Sequence, residues 1–219
     1  MKTIIIIISF IPTLISLLAV IIFYKKLQPK WLRLFFYLLV FTLAVEVGTA
    51  LYSHYFKKSN HFIINIYLPV SFSFYFLIFS KTFETKKFKT IIYTAFIVYL
   101  LFFLYDIIFI EGLYYFNTYS YCLGSILIVM CCLLYFMRLF TSDRLMNYFT
   151  IPMFWISTGL LFFFVGNLVQ MSLLRYIIDN HLDPAGHIYQ FIMVTLNVLL
   201  YGSFTISFLC NQVDRKSVV

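Results

Sequence analysis

Seven residues able to hold a proton or a ligand stand inside long apolar runs: Glu46, Asn65, Asp106, Asn167, Gln170, Gln190 and Asn197. In hydrocarbon such groups are costly, because each needs a hydrogen-bond partner or a change of charge, and they mark function by default. Their spacing groups them. Thr42, Glu46, Thr49 and Ser53 recur at intervals of four, three and four, which is one face of a helix. Asn65, Pro69 and Ser73 share a face of the next run, Gly159, Gly166 and Gln170 a face further along, and Gln190 and Asn197 a face of the last. Helices whose polar faces converge can enclose a cavity. Glu46, Asn65, Asn167, Gln170, Gln190 and Asn197 are therefore the candidate ligand-binding set. The plainer reading makes the amides interhelical glue, worth about 0.6 kcal/mol each. Glu46 fits that reading least well, since a carboxylate at depth requires a partner or a proton.

Other chemistry is thinner. His181, Asp183 and His187 could meet a metal ion at the surface, but their spacing matches no tight ligand motif, and no metal is expected. Cys131 and Cys132 are adjacent in mid-run, with Cys122 and Cys210 elsewhere, so they read as small apolar residues rather than as a redox pair. The last apolar run lacks a lysine for a retinal Schiff base. Gly124-Ser125 and Gly202-Ser203 have no histidine at comparable depth for serine catalysis. No catalytic residue and no cofactor are expected, and the chain does not read as an enzyme.

The elements that position these residues follow from composition. Hydrophobic residues make up 63% of the 219, aromatics 22% and charged residues only 11%, against roughly 25% charged in an average soluble domain. Lipid must be the solvent for most of the chain. A bilayer core about 30 Å thick needs about 20 apolar helical residues, and runs of that length recur at 4–24, 34–54, 62–80, 90–110, 119–140, 149–174 and 188–210. No period-two alternation marks barrel strands. The predicted fold is all-α, a single polytopic domain of seven transmembrane helices over 1–219. The first run is too long for a signal peptide and no small-residue cleavage site follows it, so it is expected to stay.

Basic residues set the direction. Lys25, Lys26, Lys30, Arg33, Lys81, Lys86, Lys87, Lys89, Arg138, Arg144, Arg215 and Lys216 fall in alternate connections, and only Lys2, Lys57, Lys58 and Arg175 in the others. The positive-inside rule then gives an N-out, C-in protein of the bacterial cytoplasmic membrane. Anionic lipid headgroups account for the basic clusters and for the net charge of +8, so membrane lipids are partners and nucleic acid is not. With this direction Glu46 lies roughly 12 Å and Asn197 roughly 13 Å below the outer helix ends. All seven buried carboxylates and amides fall in the outer half. The inner half carries only hydroxyls such as Ser16, Thr42, Ser80, Ser157 and Ser207, which can bond back to their own helices.

In the last third, Pro152-Met153-Phe154-Trp155-Ile156, Gly159-Leu160, Gly166-Asn167 and Leu196-Asn197-Val198-Leu199-Leu200-Tyr201 form a pattern. It resembles the C-terminal part of seven-pass membrane proteins of Bacteroidota of unassigned function, related to membrane regions that precede sensor histidine kinases. The resemblance covers about 150–211 and elsewhere rests on hydropathy. It implies a signalling or accessory role exerted through a partner, a histidine kinase or a homo-oligomer, because no output domain accompanies these helices. The expected function is thus a sensory module with an outward-facing polar pocket. A small-molecule transporter, which needs its site open to both faces, and a membrane enzyme acting on lipid are the alternatives.

Overall fold

The computed structural model describes residues 2–141, 147–180, 183 and 186–216, with side-chain surroundings given between 10 and 210 except at 174–176, 178 and 179. Seven α-helices occupy them: α1 Lys2–Phe23, α2 Leu34–Phe56, α3 His61–Thr82, α4 Lys86–Tyr105, α5 Thr118–Phe140, α6 Pro152–Asp179 and α7 His187–Lys216. No strand occurs among the described residues. Six helices are long and apolar enough to cross a membrane, and the described part of the first, Phe10–Phe23, is a shorter apolar helix. The chain thus has the architecture of a helical, multi-pass membrane protein.

Several helices outrun their apolar stretches. α4 begins at Lys86 rather than 90, α6 continues to Asp179 rather than 174, and α7 reaches Lys216 rather than 210. A helix satisfies its own backbone, so nothing obliges it to end where the hydrocarbon does. The stops are local. α2 ends where Lys57 turns left-handed (φ 51°) and its N–H bonds the Ser53 carbonyl at 3.2 Å. α6 opens on Pro152, whose missing N–H costs nothing in a first turn.

The contacts gather the chain into two compact units, one made of residues 28–131 and the other of residues 1–27 with 132–219. In the 28–131 unit α3 is the centre, packing on α2 and on α4. Phe72, Phe76 and Phe79 of α3 are buried together with Phe35, Leu38 and Leu39 of α2 and Tyr99 of α4. A β-carbon on Gly124 would stand 2.8 Å from the rings of both Phe72 and Tyr99, so only glycine lets α5 come this near. In the other unit α7 packs on α1 and α6. Leu196, Leu200, Phe204 and Phe208 recur every four residues along its buried face.

Candidate functional site

The six candidate residues divide between the units: Glu46 and Asn65 lie in the 28–131 unit, and Asn167, Gln170, Gln190 and Asn197 in the other. Each group has its own surroundings.

Glu46 sits half-buried on α2, one turn after the buried Thr42. Tyr67 of α3 faces this turn. Its phenol oxygen is 3.1 Å from the Thr42 hydroxyl, its ring stacks on Phe41 at 5.8 Å, and the Glu46 carboxylate is near enough to act on it electrostatically. Thr49, next on the same face, bonds back to the Glu46 carbonyl at 2.8 Å. A hydroxyl, a phenol and a carboxylate therefore meet on neighbouring helices. The sequence shows the Thr42 and Glu46 stripe but not Tyr67, because one tyrosine among 18 carries no distinguishing spacing.

The hydroxyls use the bond back to their own helix only in part. Ser80 and Ser207 bond back to Leu77 and Phe204 of their own helices. Thr42 instead pairs across helices, and the Ser16 and Ser157 hydroxyls are buried with no hydrogen-bond partner among the described residues.

Asn65 is fully buried and its amide is occupied by the chain just after α4. Its nitrogen donates to the carbonyls of Leu113 (2.8 Å) and Tyr115 (2.5 Å), and its oxygen accepts from the Asn117 N–H at 3.2 Å. Asn117, also buried, sets its side-chain amide beside the carbonyls of Gly112 and Tyr115 and the amide of Asn65. Gly112 supplies the left-handed turn (φ 76°) that points these carbonyls inward.

Beside this knot lies Asp106, which opens a π-helical turn, Asp106–Ile110, at the end of α4. The side chain is fully buried. Its Oδ2 accepts from both the N–H (3.0 Å) and the hydroxyl (2.5 Å) of Ser120, in the first turn of α5. Oδ1 is buried without a hydrogen-bond partner among the described residues. Five residues on, half-buried Glu111 accepts from the Tyr119 N–H at 3.4 Å. Burial first, and then the charge of Asp106, push the Glu111 carboxyl above its ordinary range, against the lowering effect of bonds from Tyr119 and Thr118. Two carboxylates therefore serve the free N–H groups of one helix end. Asp106 is visible in the sequence as a polar residue within a run. Its alliance with Glu111 and Ser120 is signalled only by two acids ahead of a helix start with no basic residue between.

In the other unit, Asn167 is buried and bonds back to the Phe163 carbonyl at 2.9 Å. Gln170, also buried, donates to the Tyr189 carbonyl of α7 at 3.2 Å, and its Oε1 has no partner among the described residues. Gln190 and Asn197 are half-buried. Of the three residues considered for a metal, His181 lies outside the described residues, and Asp183 caps α7. Its two carboxylate oxygens accept from the N–H groups of His187 (2.8 Å) and Tyr189 (3.1 Å). The His187 backbone is thus held by Asp183, while its ring belongs to an exposed residue.

No protein-family model, curated protein or solved structure matches the chain.

Proposed function

We propose that this chain is a seven-pass protein of the bacterial cytoplasmic membrane, N-out and C-in, that acts as a sensory or accessory module and signals through a partner. The observation that carries the reading is the meeting of Thr42, Tyr67 and Glu46 within the apolar span of α2 and α3. A carboxylate kept in a span beside a phenol and a hydroxyl is more than packing requires, because three apolar side chains would fill the same space at lower cost. Such a group is suited to contact a small or lipidic ligand or to change its charge state with the helix arrangement. The resemblance of 150–211 to seven-pass proteins of Bacteroidota, related to membrane regions that precede sensor histidine kinases, supports a signalling partner. The absence of any catalytic constellation from the sequence reading disfavours a lipid enzyme.

The test is to purify the full chain from native membranes and identify its protein and lipid companions by mass spectrometry, for wild type and for Glu46→Gln. A histidine kinase that accompanies the wild type and is lost or silenced with the variant is the expected result. Solute uptake by vesicles holding the chain, abolished by Glu46→Gln, would replace this reading with transport. Orientation is tested separately. Single cysteines introduced in 81–89 should resist membrane-impermeant thiol reagents in intact cells, and one introduced in 111–118 should label.

A further inference from the structure

The end of α4 carries an arrangement that the proposed signalling role does not use. Asp106 and Glu111 are near enough for the charge of one to act on the other, and both accept from the first turn of α5. A helix N-terminus offers the equivalent of about half an elementary positive charge. That suffices for one carboxylate and falls short for two. No lysine or arginine forms an ion pair with either acid among the described residues. Other titratable groups at this end include the Cys122 thiol of α5, which feels the Glu111 charge, the phenols of Tyr114 and Tyr115 in the loop and of Tyr119 and Tyr121 in the first turn of α5, and His61 of α3, whose ring lies 6.2 Å from that of Phe116. The pair therefore has acceptors in excess. Asp106 Oδ1, buried and without a donor, is the oxygen left over.

We propose that Glu111, held beside Asp106 at the start of α5, is a proton-binding site, and that uptake of one proton from the water at this end of the helices holds the 111–117 loop closed on α3 and α5. The step adds one proton to a carboxylate and breaks no bond. The pair then carries one negative charge rather than two and gains a single O–H donor. Its direction follows from linkage. With the loop closed, the Glu111 carboxyl is raised above its ordinary value of 4.5. With the loop open, it is solvated and returns to that value. The closed form binds the proton more tightly, so acid favours closure, and the advantage is lost as pH rises through the raised value. Closure would keep Asn65 engaged with the loop carbonyls. This inference is independent of what the protein signals to.

The test uses the full chain in lipid nanodiscs. Infrared difference spectra across a pH titration read carboxyl protonation, and hydrogen exchange at 117–121, corrected for the intrinsic pH dependence, reads closure. The expected result is a carboxyl that titrates above 4.5 in wild type and is missing from Glu111→Gln. Exchange should be slower on its protonated side, by about tenfold for each unit of separation. Glu111→Gln, at a half-buried position that the amide fits, should exchange slowly on both sides. Thermal unfolding checks that it is folded. A carboxyl band that survives in both Glu111→Gln and Asp106→Asn would overturn the proposal. So would the absence of any carboxyl titrating in this range, or exchange that is the same on both sides of the titration.

Discussion

Gly159 of α6 lies so close to Ser203 of α7 that a β-carbon added to the glycine would stand 2.7 Å from that of the serine and 3.3 Å from the Leu200 carbonyl oxygen. Small residues on both helices permit this approach, as they do between helices in lipid. Gly159→Ala should therefore destabilise by about 1–3 kcal/mol, the range for an overpacked contact. Gly48→Ala is the control. Nothing lies within 4 Å of its added methyl, and alanine gains up to about 1 kcal/mol of helix propensity. Thermal unfolding in one detergent should move in opposite directions for the two variants.

Asn65 should prove indispensable to the loop it holds. Asn65→Ala removes the donor shared by Leu113 and Tyr115 and the acceptor used by Asn117. Each buried group left unmade costs about 1–3 kcal/mol. Asn65→Asp restores shape but sets an oxygen against two carbonyls, and should do no better at neutral pH. Limited proteolysis within 111–117 is the measurement, with both variants cut faster than wild type.

At Glu46 the two natural replacements should separate. Glu46→Gln keeps the shape and a polar group beside Tyr67, and should reach wild-type membrane levels and thermal stability. Glu46→Ala should accumulate less. Tyr67→Phe should lose the Thr42 contact at a cost near 0.6 kcal/mol. Equal accumulation, stability and partner recovery for the Gln and Ala variants would remove Glu46 from the proposed site.

Asp183→Ala should fray the start of α7. Both of its side-chain bonds go to N–H groups in the first turn, and loss of a cap costs about 0.5–2 kcal/mol. Hydrogen exchange at His187–Tyr189 should quicken, while exchange deeper in α7 stays as in wild type. Asp183→Asn should recover much of the protection, since one amide oxygen can still accept.

Hydropathy made the helices legible because burying apolar area is a property of each segment alone. The starts of α2 at Leu34 and of α5 at Thr118 fall within a residue of the runs that predict them. Partnership was not legible. Asn65 reads as a candidate for a ligand, yet its bonds go to residues 48 to 52 positions away, and only chain closure reveals them. Asp106 reads as a shallow polar residue, and its acceptance of α5 depends on a loop whose course no periodicity announces. Tyr67 is hidden among many aromatics until α3 is laid on α2.

The π-helical turn at Asp106–Ile110 has a consequence for the length of the chain. Such a turn holds five residues where an α-helix would advance by four, so it acts as a one-residue insertion at the end of α4. Deleting a residue such as the exposed Ile108 would let the helix close in regular register and rotate everything beyond it by roughly 100°. Glu111 would swing off the end of α5 while Asp106 stayed. The spacing of the two acids is therefore a phase as well as a distance, and the π-turn tolerates a change of side chain at Ile108 far better than a change of count.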